Sequence, residues 1–381
     1  MTSAALDIDA AAARLCDDDA PLVILGEDWC RSYGRLAPDK RAYATLVYEK
    51  PTEVPVRVDF FTDRQSIECV ALPQIGYAAF QSAVHDTALP TLADALALVN
   101  NVEIIRYRPG KRCTFSGLER GSRAPLFLKT FSDDRGAEIF QDAKEIDYIA
   151  NDGAFGFSVA APAWYDCATR TIAHRTVPGT PIGARLEDED GPALAKNIGA
   201  ALATIPQSQA TPLTRFTASD QMRRTAKYAR RIASTAAWLE PVVTRIMEKF
   251  SAAHDAIPDS PLRPIHGAPH PQQWLISDDA LGLIDFDRFS MGPVEIDAAT
   301  FVAELDFEGI SAPQRNNLIA SFVTQYDRDV NGVNHRLFTT YRAHKHMAKA
   351  LKTALAIRPD RLARAEQILR GAEEMLDGIK K

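Results

Sequence analysis

Long apolar runs are missing from this 381-residue chain. No stretch approaches the roughly 20 residues that a helix needs to cross a bilayer, so no membrane association is expected. A secretory start is missing too: MTSAALDIDAAAARLCDDDAP is acidic where a signal peptide needs a basic start and then an apolar block. A cytoplasmic location is the resulting expectation. Cysteine is scarce. The five present (Cys16, Cys30, Cys69, Cys113, Cys167) are odd in number and form no CxxC pair; neither a disulfide framework nor a zinc knuckle follows from them. Positive charge is not in excess either. A net charge of −6 argues against a general nucleic-acid surface, although a local basic site stays compatible with it. What the chain does have is 46% hydrophobic and 25% charged residues, enough for a large core and two or three structural units.

The first hundred residues mix short helical and extended patterns. Residues 4–16 and 91–99 read as helices, residues 41–48 and 54–61 as strands. Residues 102–107, 112–118 and 124–131 then form three strand candidates separated by Arg-Pro-Gly-Lys and Glu-Arg-Gly-Ser-Arg, both turn signals. A helix follows, capped by Asp133 or Asp134, with Ile139, Phe140, Ala143, Ile146 and Ala150 on one stripe. Residues 171–177 read as a further strand. From about residue 190 the pattern is helical: 192–204, 219–253 with a break at Pro241, 296–308, 312–328, 336–356 and 359–378. One strand pair, 274–277 and 281–286, interrupts it, joined by Asp278-Asp279-Ala280. A β-rich unit followed by a helical one is an α+β, bilobal arrangement. The expected division is an N-terminal extension at 1–100, a small lobe at 101–177 and a helical lobe at 178–381. Residues 38–63 also echo residues 109–134 (PDKR with PGKR, FFTD with TFSD), either a duplicated β-meander or a chance likeness of amphipathic strands.

Three places could carry chemistry. Lys129 shares a strand face with Phe127 and Phe131. A buried ammonium there needs a carboxylate or a phosphate, and Glu138 and Glu145 lie seven apart on the next helix; a lysine reaching to solvent at a strand edge is the plainer reading. Asp285 and Asp287 follow the apolar run Leu281-Gly282-Leu283-Ile284, and an i, i+2 pair on a continuing strand would aim both carboxylates one way, as Mg²⁺ prefers. A solvated Asp-Phe-Asp turn is the alternative. Residues 264–276, PIHGAPHPQQWLI, break regular structure and bring Gln273, an amide oxygen, within a hairpin of Asp285. His266 and His270 are four apart, but the prolines between them exclude a helix and no third ligand is evident, so zinc is not indicated. His344 and His346, two apart on a helix, read as ordinary surface residues, and Glu295, Glu304, Asp306 and Glu308 as a solvated acidic face.

Taken in order, FLK (127–129), TIAHRTVPGTPI (171–182), HGAPHPQQWLI (266–276) and LGLIDFDRFSMGPVEIDAATF (281–301) resemble the motifs of the aminoglycoside phosphotransferase and choline kinase-like family, which has a protein-kinase-like fold. The likeness spans roughly residues 102–375. It implies that Lys129 holds the phosphates of ATP or GTP and pairs with Glu145, or else with Glu138. It implies that backbone near Ala173 and Arg175 receives the nucleobase and that the turn from Arg108 to Lys111 covers the phosphates. It further implies that Asp285, with Asp287 beside it, binds Mg²⁺, that Gln273 replaces the usual Asn as second ligand, and that Asp297 braces the loop beneath His266. The family's loop reads His-Gly-Asp, and here the third residue is Ala268. The missing carboxylate would contribute about 10²- to 10⁴-fold as a base, yet phosphoryl transfer depends mostly on positioning and charge neutralisation. His270 is a candidate substitute base. Three readings follow: an atypical phosphotransferase acting on a small hydroxyl or amino compound; a pseudokinase that binds nucleotide, or a protein partner through residues 1–100; and a different transfer, such as nucleotidyl transfer, on the same scaffold.

Overall fold

The computed structural model describes residues 8–17, 20–26, 28–37, 40–278 and 280–379. Residues 4–7 of the expected first helix, 38–39 of the echoed segment and Asp279 of the expected turn lie outside the described residues. Two short helices, α1 (Ile8–Asp17) and α2 (Ala20–Leu25), precede strands β1 (Cys30–Leu36), β2 (Ala44–Glu49), β3 (Val56–Phe61), β4 (Val70–Leu72) and β5 (Gly76–Ser82). Helix α3 (Leu92–Leu96) leads into β6 (Val99–Arg108), β7 (Arg112–Glu119) and β8 (Pro125–Phe131). Then come α4 (Arg135–Asn151), β9 (Ser158–Val159), β10 (Pro162–Asp166), β11 (Thr171–Arg175) and β12 (Thr180–Pro181). The helical half holds α5 (Gly191–Gln207), α6 (Ala218–Thr235) and α7 (Glu240–Ala256), strands β13 (Arg263–Ile265), β14 (Trp274–Ser277), β15 (Ala280–Leu283) and β16 (Ser290–Gly292), and α8 (Glu295–Leu305), α9 (Ala312–Val330), α10 (His335–Ala354) and α11 (Arg361–Asp377). The result is a mixed α+β, kinase-like arrangement, with sheets toward the N-terminus and helices toward the C-terminus.

Two five-stranded antiparallel sheets stand in series. The first runs β1-β2-β3-β5-β4 and the second β6-β7-β8-β11-β10. Numbered within each sheet, both orders are first, second, third, fifth, fourth. The echo between residues 38–63 and 109–134 therefore falls on two hairpins, β2–β3 and β7–β8, that occupy the same place in their sheets. The second sheet differs in carrying α4 and β9 between its third and fourth strands. Alternation sends Leu126 and Leu128 of β8 into one apolar cluster with Phe115, Tyr107 and Ala173, and Val47 of the first sheet joins it. Ile357, just past α10, packs against the first sheet's own cluster, and Leu36 N–H donates to the Leu355 carbonyl at 2.8 Å. The N-terminal unit is thereby pinned to both halves.

Local chemistry sets the helix ends. Thr217 and Asp220 cap α6 reciprocally; the chain breaks at 236–239 and restarts as α7 with Pro241 in its first turn, where no N–H is needed. Helix α10 packs on α8, α11, α6 and α7, so both of its faces are covered. This overturns the surface reading of His344 and His346. The His344 ring stacks on Phe250 with centroids 3.8 Å apart, while His346 meets Asp306 at 3.0 Å. Glu295 is buried as well, accepting from Ser260 Oγ and the Asn334 N–H, and Asp306 is bound by Arg342. Those acids are internal partners rather than a solvated face. Among the described residues no helix is long and apolar enough to cross a membrane.

Candidate active site

Lys129 stands on the third strand of the second sheet, on the face opposite Leu126 and Leu128, and is 7% exposed. Its ammonium does not reach solvent. It donates to Asp285 Oδ1 at 2.5 Å and to Asp287 Oδ1 at 2.6 Å, and Arg112 Nη1 reaches Asp287 Oδ2 at 2.5 Å. Two cations from the sheet thus face two carboxylates from the helical half. Burial alone would push Asp285 up, but the Lys129 charge holds it well below the usual carboxylate range. The pair does not owe its convergence to strand alternation, as the i, i+2 spacing suggested. Strand β15 ends at Leu283, and Asp285 adopts φ +69°, a left-handed conformation that a non-glycine residue holds only where its surroundings require it. Gln273 secures that turn, its Nε2 donating to Asp285 Oδ2 at 3.0 Å and its carbonyl accepting from Ile284 N–H at 3.1 Å.

The loop after β13 is fixed from below. Asp297, at the start of α8, accepts the N–H groups of His266 at 2.7 Å and Gly267 at 2.8 Å. Burial pushes its carboxyl up to about 7 against those two hydrogen bonds. His266 is fully buried and pushed down to about 4 by that burial, so the ring is neutral. Its Nε2 donates to the Ile284 carbonyl at 3.1 Å, and its Nδ1 accepts from Ala268 N–H at 3.3 Å. With both ring nitrogens engaged, His266, a candidate catalytic residue from the sequence, ties the 266–268 loop to the Asp285 turn. Gly267 sits at φ +81°, and a Cβ there would lie 2.3 Å from the Arg288 carbonyl oxygen. Ala268 follows, half-buried, presenting a methyl group.

A cavity of about 410 Å³ lies between sheet and helices beside these groups. Ile105, Phe127, Ile146, Val177 and Ile284 supply apolar walls, and Lys129, Asp285 and Asp287 close its polar end. His270, Gln273 and Arg175 also line it. The His270 ring is lowered by burial, which leaves a neutral imidazole at the cavity wall. Burial, with the nearby Lys129 ammonium, brings His174 down to about 4. Arg175 is paired with Glu119 at 2.9 Å, and its backbone N–H already serves the Ala161 carbonyl.

Several expected placements are not formed. Glu145 is taken by Thr211, accepting its N–H at 2.7 Å and its Oγ1 at 2.9 Å, and neither it nor Glu138 meets Lys129. The face of α4 that lines the cavity is instead apolar, with Ile139, Ala143 and Ile146. Ala173 sits mid-ladder between Trp164 and Leu128, fully buried, with no backbone edge turned to the cavity; its neighbours His174 to Val177 line it. Arg108 and Lys111 do not line the cavity, whereas Arg106 and Arg112 do. Arg108 stands close by, pushed down to about 10 by burial and by Arg106 and Arg112. The turn itself is anchored by buried Asp86, which accepts from Gly110 N–H at 2.7 Å and Tyr107 OH at 2.6 Å. Nothing in the sequence marks Asp86 or Arg112; their roles exist only through contacts across 24 and 175 residues. Among the described residues no group of three or more His, Cys, Asp or Glu could hold a metal ion. The carboxylate oxygens of Asp285 and Asp287 do suit a hard cation that takes one or two carboxylates, whereas Gln273 turns its amide nitrogen to Asp285 and its Oε1 accepts from the His270 N–H at 3.3 Å. The Lys129 ammonium already occupies the point between both carboxylates where such charge is needed.

A profile described as "Phosphotransferase enzyme family" matches residues 116–333. No curated protein matches the chain. Among solved structures, an amicoumacin kinase in complex with AMP-PNP, Ca²⁺ and Ami is 13% identical, covering 75% of this chain and 93% of that one at a TM-score of 0.56. A choline kinase from Streptococcus pneumoniae is 16% identical over 74% and 96% of the two chains at 0.51. A choline/ethanolamine kinase family protein from Mesorhizobium loti is 18% identical over 78% and 97% at 0.50. These likenesses show a shared fold.

Proposed function

The chain belongs to the phosphotransferase enzyme family, and from that premise we propose that it moves the terminal phosphoryl group of ATP or GTP, with Mg²⁺, to a hydroxyl or amino group of a small molecule. The observation that carries this reading is the meeting of Lys129 with Asp285 and Asp287 at the polar end of the interlobe cavity. An ammonium that bridges two carboxylates can exchange them for phosphate oxygens when a nucleotide enters, and the freed carboxylates then need a cation. Mg²⁺ held by Asp285, Asp287 and Gln273 would neutralise charge on the phosphates. The remaining work belongs to the protein. Lys129 and Arg112 orient the phosphates, the apolar walls near Val177 and Ile284 take the base, and Asp297 with His266 holds the Gly267–Ala268 backbone rigid. In the transfer the bond from the terminal phosphorus to the bridging oxygen breaks, the acceptor oxygen or nitrogen bonds to phosphorus, and the acceptor proton leaves to solvent or to a neutral ring such as His270.

Ala268 favours a second reading, a nucleotide-binding module without turnover, because no carboxylate stands at that loop position. Following label transfer from γ-labelled ATP to an acceptor panel, alongside Mg-ATP binding, separates the two. Binding with transfer supports the enzyme, and binding without transfer supports the module. No binding at millimolar nucleotide removes both.

A further inference from the structure

A second cavity, of about 340 Å³, opens on the far side of Asp287, which it shares with the interlobe cavity, and Gly267 also forms part of its wall. On the phosphotransferase reading, a molecule held in this cavity would lie against Gly267 and Asp287. Four cations line it, Arg135, Arg224, Arg288 and Lys345; Arg135 is paired with Asp133, which leaves Arg224, Arg288 and Lys345. None of the three makes an ion pair among the described residues, and Arg224 instead lies over the Phe216 ring at 4.4 Å. The acids in the same wall are largely committed. Asp133 pairs with Arg135, Asp287 with Lys129 and Arg112, and Asp142 accepts from the Leu213 N–H, its carboxyl pushed up to about 6 by burial. Glu138 alone has no partner among the described residues, against the guanidiniums of Arg224 and Arg288 and the Lys345 amine, none of them ion-paired. The Lys345 amine is brought down to about 7 chiefly by burial, then by Arg288 and Arg224, with Asp297 and Glu304 acting the other way. Like charges converge in a partly buried space only where something of opposite sign completes it.

Resting on the phosphotransferase reading above, we infer that the acceptor enters this cavity as an anion: a small alcohol or amine carrying a phosphate or carboxylate group that Arg224, Arg288 and Lys345 hold beside Gly267 and Asp287. Such a site selects against cationic acceptors, because an ammonium group would add positive charge beside the unpaired Arg224 and Arg288 guanidiniums.

Titration calorimetry on the full chain tests it, with inorganic phosphate as the anionic probe and methylammonium as the cationic one, both added with Mg-AMP-PNP present. Phosphate binds and methylammonium does not. The double substitution Arg224→Gln/Lys345→Met weakens phosphate by about tenfold or more, as expected for lost charge-assisted contacts, whereas Arg224→Lys/Lys345→Arg retains it. Arg288→Gln, at an exposed side chain, weakens it by about threefold in the same direction. Retained phosphate affinity in both the double and the Arg288 variants overturns the inference, as does absence of phosphate binding or a preference for methylammonium. Mg-ATP binding is measured separately. Its absence in the unmodified protein removes the phosphotransferase reading, while the phosphate titration still decides the charge of the cavity.

Discussion

The two antiparallel sheets share one strand order, yet they treat the corresponding position of their third strands in opposite ways. In the first sheet Asp59 lies across from Thr45, and in the second Lys129 lies across from Thr114. Asp59 is satisfied at home: it accepts from Thr45 Oγ1 at 2.5 Å and pairs with Arg57, two residues away, at 2.8 Å. Lys129 finds its partners 156 and 158 residues on, in the helical half. The difference traces to what lies between the third and fourth strands. In the first sheet a loop without helix or strand spans 62–69; in the second, α4 lifts the chain away and leaves a cavity over the strand. One scaffold thus gives a closed, self-paired sheet and an open one whose buried charge must be answered from outside, so the site resides in the insertion and the side chains rather than in the sheet.

The largest expected effect breaks that asymmetry directly. Lys129→Met leaves two partly buried carboxylates facing each other, with a stability loss of about 3 kcal/mol by chemical denaturation and a turnover loss of about 10²- to 10³-fold. Asp59→Asn in the first sheet costs about 1 kcal/mol and leaves turnover within about twofold. Equal effects on turnover would end the distinction. Ala268→Asp restores a carboxylate to the loop and raises label transfer by about 10²-fold; unchanged transfer with intact Mg-ATP binding favours the binding module.

The second sheet was the more legible of the two, for reasons tied to residue pattern. Strands β7 and β8 are rich in apolar and β-branched residues and bounded by Pro-Gly and Gly-Ser turns, and four motifs in order marked the cleft. In the first sheet β1, CRSYGRL, has mostly exposed or half-buried residues and no alternation, and β4 is three residues long, so neither announced itself. The expected helix at 91–99 closes at Leu96 because Val99 already pairs with Glu119 as the start of β6. Sequence spacing offered Glu145 to Lys129, but spacing says nothing of which way α4 is rotated, and that rotation turns Glu145 to Thr211. Arg224, Arg288 and Lys345 lie on three separate segments of the helical half and become one group only in space.

Asp86 ties the two units together, since it follows the first sheet and holds the turn that ends β6. Asp86→Asn costs about 2 kcal/mol in melting experiments, because a buried hydroxyl and an N–H lose their charged acceptor, and it raises the nucleotide KM more than it lowers kcat. A smaller effect separates the regions by pH. His174 and His266 have folded-state values of about 4, below the ordinary 6.5, and His344 is also held well below it by burial. The unfolded chain therefore binds more protons than the native one as pH falls below 6.5, and the stability these rings contribute is present above 6.5 and lost down to about 4. Asp297, raised to about 7, acts in the opposite sense, gaining stability on protonation, and partly offsets them. All four groups lie in the second sheet and the helical half. Hydrogen exchange at pH 5 should accordingly lose protection in β11 and residues 264–276 before β2 and β3; simultaneous loss would show that the two units respond to acid alike.

Mg-ATP titration calorimetry of the unmodified protein and Lys129→Met, with and without Mg²⁺, tests the central arrangement most directly. Binding that requires Mg²⁺ and weakens by about tenfold or more in the variant is the predicted result. Absence of binding at millimolar Mg-ATP, or equal affinity in the variant, would contradict it.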